Sequence, residues 1–236
     1  MHRELEQDRL YVTVDLLILT VREGRLNLLL SRRVSAPYEG RWALPGRFIG
    51  LDESAETSVN RLLEEMLPIR NAYLEQLYTF TDVNRDPRGR VISTAYLVIV
   101  PWGPLKALMA EKALAFRCFQ VSMNGRGLRL TGDGGDALIP GDLAFDHGRI
   151  IETGVARLRG KIDYTEIGFR FLENPGAFSL SELQTVFEAV LDETVDSSNF
   201  RRAIFGRYER TGRLTQTDQE ERRGRGRPAA LYSIAL

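Results

Sequence analysis

Arginine is the residue type that marks this chain out for chemistry. Of its 32 basic residues only Lys106, Lys112 and Lys161 are lysine, which leaves 29 arginines. A guanidinium makes forked hydrogen bonds to phosphate and to guanine that an ammonium cannot. Three constellations stand out. The segment Asn84–Arg90 places Arg85, Arg88 and Arg90 within six residues, a spacing able to clamp a diphosphate bidentately. Arg32 and Arg33, at a strand end, are further candidates for the same anion. Arg201 and Arg202 are expected in the first turn of a short helix, off its apolar stripe, with Arg207 and Arg210 further along. Near the C-terminus Arg222, Arg223, Arg225 and Arg227 surround Gly224 and Gly226. Glycine allows close backbone approach there, and arginine enters a narrow minor groove well.

The elements that must hold these groups follow from periodicity. Tyr11 to Val21 is β-branched and apolar, Arg-Glu-Gly-Arg turns, and Leu26 to Leu30 continues, which predicts a hairpin. A Gly/Pro-rich loop spans Val34 to Gly46, and Glu53 to Leu67 carries Val59, Leu62, Leu63 and Met66 at helical spacing. Tyr73 to Phe80 and Val91 to Val100 read as strands. Cys118 to Met123 and Leu128 to Thr131 flank Asn-Gly-Arg-Gly as a second hairpin. After Pro140 the pattern turns helical. Asp146 to Lys161 has one apolar stripe, and Ser179 with Glu182 has capping-box spacing. A second helix is expected from about Asn199 to Arg210, then two short strands, Leu214 to Thr217 and Ala229 to Ile234. Helix, helix and β-ribbon is the order of a winged helix-turn-helix, whose second helix enters the major groove. A helical hairpin with a basic tail also suits a solvated face or a protein-interaction module.

The total charge conceals this layout. The 236 residues hold 32 acidic side chains against 32 basic ones. That zero argues against a uniformly basic coating protein and against an acidic disordered one. At 43% hydrophobic the chain is composed like a folded protein. Residues 1–142 balance at 18 and 18, residues 143–196 hold 5 basic and 10 acidic, and residues 197–236 hold 9 basic and 4 acidic. The domains are read as 1–142, ligand-binding, and 143–236, a linker helix with the DNA reader. Cys118 is the sole cysteine, which rules out an internal disulfide and a multi-cysteine zinc site. The charged start MHRELEQDRL lacks a signal-peptide core, and no apolar run approaches the ~20 residues of a membrane span, so a cytoplasmic protein without a membrane partner is expected.

Leu44-Pro45-Gly46-Arg47-Phe48-Ile49, then Glu53, then Arg61-Leu62-Leu63-Glu64-Glu65, resembles the Nudix box. Laid on that pattern, the first Gly becomes Arg47, while Glu53 and Arg61 are kept. The metal-binding carboxylates fall on Leu62, Glu65 and Met66, and the closing Gly on Pro68. Those three positions share one helix face. In Nudix hydrolases that face holds Mg²⁺ against a pyrophosphate. Mg²⁺ is a hard ion that wants oxygen ligands, so one carboxylate between two apolar groups is a poor site. A one-residue slip pairs Glu64 with Glu65 but turns the face by about 100° and still lacks a third acid. The expectation is a domain with no catalytic residues and no required cofactor. Arg47 joins Arg32, Arg33, Arg85, Arg88 and Arg90 as its ligand contacts. The alternative is a Mg²⁺-dependent hydrolase of the ADP-ribose pyrophosphatase type, with the C-terminal unit serving dimerisation; a protein that does both is a third reading.

Taken together, Arg85-Asp86-Pro87-Arg88-Gly89-Arg90, Leu143-Ala144-Phe145-Asp146-His147, Asn199-Phe200-Arg201-Arg202 and Arg225-Gly226-Arg227-Pro228-Ala229-Ala230-Leu231-Tyr232 make the chain similar to the Nudix-related transcriptional regulators, the NrtR family. The resemblance implies an α+β chain with an N-terminal Nudix-like α/β/α sandwich on a mixed sheet and a C-terminal winged helix-turn-helix. It implies a homodimer on a palindromic double-stranded operator, with ADP-ribose or a related nucleotide as effector and repression of NAD-metabolism genes, or, as in other members, control of sugar utilisation by a different effector. The stretch Phe116 to Asp136 departs from the family pattern as an additional hairpin.

Overall fold

A computed structural model of the chain describes residues 10–67, 72–221 and 228–236. Its strands and helices are β1 (Tyr11–Arg22), β2 (Arg25–Arg32), β3 (Trp42–Ala43), β4 (Gly46–Phe48), α1 (Ala55–Met66), β5 (Tyr73–Phe80), β6 (Val91–Ile99), α2 (Trp102–Glu111), β7 (Phe116–Asn124), β8 (Gly127–Thr131), β9 (Ala137–Leu138), α3 (His147–Ile162), β10 (Phe178–Ser179), α4 (Leu180–Leu191), α5 (Ser197–Ile204), β11 (Leu214–Glu221) and β12 (Ala229–Ile234). The first nine strands form one sheet in the order β5-β6-β1-β2-β7-β8-β9, with β3 on β2 and β4 on β1. The β1–β6 pair is parallel, and the other pairs are antiparallel, so the sheet is mixed. A second, three-stranded sheet runs β10-β12-β11.

The near-continuous apolar run of β1 is explained by cover on both faces. Val14, Leu16 and Ile18 enter one cluster with Val59 and Leu63 of α1 and Leu105 and Leu108 of α2. Leu17 and Leu19 enter the other, which continues through Ile151, Val155 and Leu158 of α3 to Leu183 and Val190 of α4 and Phe200 of α5. The alternation is the period of two expected of a strand. The C-terminal unit therefore shares a core with the large sheet instead of swinging on a tether. Gly154 marks where α3 meets β1. A Cβ there would lie 1.9 Å from Leu17 Cδ2, so only glycine lets the helix approach that closely. The β1–β2 turn uses Glu23 at φ 50° and Gly24 at φ 69°, the two positive angles of a type I′ hairpin.

The hairpin in Phe116 to Asp136 is integral to the sheet, since β7 pairs with β2 from Asn27↔Gln120 to Ser31↔Phe116. Strand β11 runs on to Glu221, past the expected Thr217, the short strands β3, β4, β9 and β10 have no counterpart in the sequence pattern, and three helices differ from the periodicity. Helix α1 begins after Glu53, because the Ser54 side chain accepts from Thr57 N. Helix α2 has no counterpart in the sequence pattern; Gly103 and Pro104 hide it, yet a first turn tolerates proline. Helix α5 starts two residues early, because Asp196 caps it by accepting from Asn199 N, and it is only eight residues long. The chain then winds into a wider π turn, Phe205–Glu209, drawn inward by buried Tyr208, whose hydroxyl donates to Thr165 O at 2.9 Å. The capping box of α4 is as expected: Ser179 Oγ accepts from Glu182 N, and Glu182 accepts from Ser179 N.

Candidate functional site

A cleft of about 130 Å³ opens beside β1 and β4. Drug-sized ligand pockets run to ~300 Å³ or more, so this cleft encloses the charged part of a ligand rather than a whole nucleotide. Its walls include Asp15, Arg33, Arg47, Phe48, residues 85, 86 and 88 of the arginine loop, Phe145 and His147. The predicted contacts Arg33, Arg47, Arg85 and Arg88 therefore converge. Arg32 and Arg90 do not line it. Arg32 neighbours Arg33 on an extended segment, so the two side chains leave on opposite faces, and Arg32 Nε donates to Gly40 O at 3.3 Å. Arg90 turns back, donating from Nη1 to Thr81 O at 2.8 Å.

The floor of the cleft is a buried charge network. The Arg85 side chain is 3% exposed and forks onto Asp146, Nη2 to Oδ1 at 2.7 Å and Nε to Oδ2 at 3.1 Å. Asp15 takes Ser93 Oγ at 2.5 Å and lies 3.5 Å from Arg85 Nη2. His147 Nδ1 accepts from Leu44 N at 2.8 Å, so the neutral ring carries its proton on Nε2, 3.7 Å from Asp15 Oδ1. Burial lowers the His147 pKa, and the attraction of Asp15 and Asp146 does not offset that. His147 is thus a packed residue at the start of α3. Arg85 acts as a tie between the loop and that helix, with no free fork for a ligand.

The rim carries the available cations. Arg33 gives Nε to Pro37 O at 2.7 Å and Nη2 to Ser35 O at 3.2 Å, and its guanidinium carbon sits 4.7 Å from the Phe145 ring centre. Burial and neighbouring Arg88 lower its pKa, and the attraction of Asp86 does not offset that. Arg88 lies 5.2 Å from the Phe48 ring and 5.4 Å from the Phe145 ring. It is paired with Asp86, which raises its pKa and holds that of Asp86 below the usual range despite burial.

The helix that resembles the Nudix box does not present a metal face. Leu62 and Met66 are half-buried and pack against the core cluster that α1 and α2 form with the sheet. Glu65 is exposed and pairs with Arg47 at 3.2 Å. Glu53 accepts from Gly50 N, Ser58 Oγ and Arg61 Nη2 at 2.7, 2.7 and 2.8 Å, and the first two of these bonds lower its pKa most. Among the described residues no group of three His, Cys, Asp or Glu side chains is placed to hold a metal ion. These residues do not fit a Mg²⁺ site.

On the other unit Arg201 and Arg202 are exposed, but in the last turn of α5 rather than its first, because the helix begins early and stops at Ile204. Arg201 lies 5.3 Å over Phe205 and lines a groove with Gln216, Ala230 and Tyr232 of the β-ribbon. Arg202 donates to Asn199 Oδ1. Arg207 and Arg210 are also exposed. Arg222, Arg223, Arg225 and Arg227 lie outside the described residues.

Helix α3 joins the two sites. Its first turn receives the cleft through Asp146 and His147. Further along, Lys161 Nζ donates to Glu75 Oε2 at 2.5 Å, and Arg159 donates to Met123 O at 2.5 Å and to Val190 O at 2.9 Å. Arg159 therefore fastens the β7–β8 hairpin to the end of α4. Residue types alone did not single out Asp15, Asp86, Phe145 or Asp146 as parts of the site. Asp15 had a signal, an isolated acid in an apolar strand, since buried charges are almost always partnered.

Residues 168–234 match the family model described as the NrtR DNA-binding winged helix domain. The ADPR responsive transcriptional repressor NtrR of Acinetobacter baylyi is 33% identical over 227 residues, which is 95% of this chain and 82% of that protein. The crystal structure of Shewanella oneidensis NrtR complexed with a 27mer DNA is similar at a TM-score of 0.73 and 30% identity, covering 95% of this chain and 93% of that one. A MutT/nudix family protein from Enterococcus faecalis is similar at a TM-score of 0.78 and 27% identity, covering 97% and 89%.

Proposed function

The chain belongs to the NrtR family of Nudix-domain transcriptional regulators, and from that premise we propose that it is a cytoplasmic repressor of NAD-metabolism genes released from its operator by ADP-ribose or a close relative. The effector's diphosphate meets Arg33, Arg47 and Arg88, and the rings of Phe48 and Phe145 take its flat or sugar parts. DNA is read by α5, with Arg201 and Arg202 on bases or backbone and Arg207 on phosphate. A homodimer presents two such helices to half-sites about one DNA turn, ~34 Å, apart. Among the described residues no helix is long and apolar enough to cross a membrane.

The observation that carries this reading is the Arg85–Asp146 fork. It ties the loop that supplies Arg88 to the residue opening α3, and the core of α3 runs on into α4 and α5. A ligand that shifts the loop shifts the helix that sets the spacing of the DNA readers. The effect is limited by the ligand's differential affinity for the two arrangements.

In this reading the ligand is bound and not cleaved. Leu62 and Met66 are apolar and pack against the core, Glu65 is engaged by Arg47, and no cofactor is required. Two measurements test the reading on the full chain. Calorimetry should show ADP-ribose binding to the parent and much weaker binding to Arg33→Ala. A Mg²⁺-supplemented assay should show no AMP release. Equal binding by the variant refutes the cleft, and sustained turnover refutes the non-hydrolytic domain.

A further inference from the structure

Asp86 is 5% exposed and sits inside a cleft that Arg33, Arg47 and Arg88 also line. Its Oδ1 accepts from Arg88 N at 2.9 Å and Arg88 Nε at 3.0 Å, and its Oδ2 accepts from Arg88 Nη2 at 2.7 Å. The guanidinium fork is thus filled by a carboxylate from two residues away. That fork is the geometry a phosphate would use. Arg33, beside it on the rim, donates to the carbonyls of Pro37 and Ser35. Of these two rim cations, Arg88 is already bound by an internal carboxylate, while Arg33 donates to backbone carbonyls.

Resting on the effector reading above, we infer that Asp86 is an internal competitor that latches Arg88 and admits ligands that bring two anionic groups rather than one. A tethered carboxylate competes at a high effective concentration. A ligand with a single anionic group offers the Nε and Nη2 donors of Arg88 only what Asp86 already supplies. A diphosphate brings one anionic group to Arg33 and another to Arg88 at once, so it can take the fork. Arg88 then leaves its seat between Phe48 and Phe145 and opens both rings to the ligand. The latch makes Asp86 a positioning residue that selects for diphosphates over single phosphates and carboxylates.

The test is calorimetric titration of the full chain with ADP-ribose, AMP and inorganic pyrophosphate, for the parent, Asp86→Asn, Arg88→Gln and the double variant. Asp86→Asn should bind pyrophosphate and ADP-ribose about fivefold tighter, in line with the worth of one partly exposed ion pair. Its preference for ADP-ribose over AMP should narrow. In the Arg88→Gln background the same change should give no gain, which a merely structural Asp86 would not predict. Parent binding with no gain in Asp86→Asn overturns the latch alone. A gain that persists without Arg88 also overturns it. Failure of every form to bind any of the three ligands overturns the cleft assignment together with the latch. Asp86→Ser, which removes the charge but keeps a short polar side chain, gives the same readings if the Asn form does not fold.

Discussion

Asp146→Asn isolates the tie between the ligand cleft and the linker helix. Asp146 is the N-cap residue of α3 but makes no side-chain cap bond, because its carboxylate is spent on Arg85. Removing the charge therefore costs the pair and not a cap. Arg85 is 3% exposed, so its cation cannot recover water. Breaking a buried pair from one side costs ~3–5 kcal/mol. Asp15 remains 3.5 Å away as a second partner, which favours the low end, about 3 kcal/mol. For a chain of this size ~1 kcal/mol moves the midpoint by ~2–4 °C, so thermal unfolding should fall by roughly 6–12 °C. The functional consequence is separate. The variant should still bind operator DNA at a temperature well below its midpoint, but ADP-ribose should release it less completely than the parent. Calorimetric scanning and operator binding with and without ligand measure the two effects. A midpoint within about 1 °C of the parent together with full ligand response would refute the reasoning, since it would mean that the fork neither stabilises nor transmits.

Other perturbations test other links. Gly154→Ala forces a Cβ to within 1.9 Å of Leu17 Cδ2, and urea unfolding should show a loss of about 1–3 kcal/mol; a gain from helix propensity would mean that α3 does not press on β1. Arg201→Ala with Arg202→Ala should weaken operator binding and lower its salt dependence by about one unit for each phosphate no longer neutralised; unchanged binding would show that α5 is not the reader. His147 is held below its ordinary pKa by burial, so the unfolded chain takes up its proton first. Stability should therefore fall as pH drops below about 6.5, ahead of the carboxylates Glu53, Glu75 and Asp86, whose lowered pKa values withdraw stability only below about 4.5. His147→Asn should flatten the upper part of that decline, and an unchanged slope would remove His147 as its source.

Features built from neighbours in sequence are the legible ones. The run Tyr11 to Val21 and its Glu-Gly turn specify β1 and β2, and Ser179 with Glu182 specifies the start of α4. The helix face around Leu62 and Met66 is readable as core from residue type alone, which already argues against a metal site there. Local signals fail where geometry is set from afar. Gly103 and Pro104 mask α2, whose formation rests on Leu105 and Leu108 covering the sheet. The length of α5 is decided by Tyr208 reaching Thr165. The arginine loop looks like a row of equivalent ligands, yet its three members have three fates. Arg85 is buried on Asp146, 61 positions away, Arg88 is filled by Asp86 beside it, and Arg90 folds back on Thr81. Spacing counts cations, and only the fold assigns their partners.

On the proposed reading, one ligand cleft governs one DNA-reading helix through α3. Fluorescence anisotropy of the gene's own upstream DNA, titrated with the full chain with and without ADP-ribose and with no Mg²⁺ present, tests it most directly. Tight binding is expected without ligand, with an affinity lowered by about 5–150-fold when the cleft is saturated, the range of ordinary coupling energies. An operator affinity that ADP-ribose leaves unchanged, at concentrations where calorimetry shows the cleft filled, would contradict it.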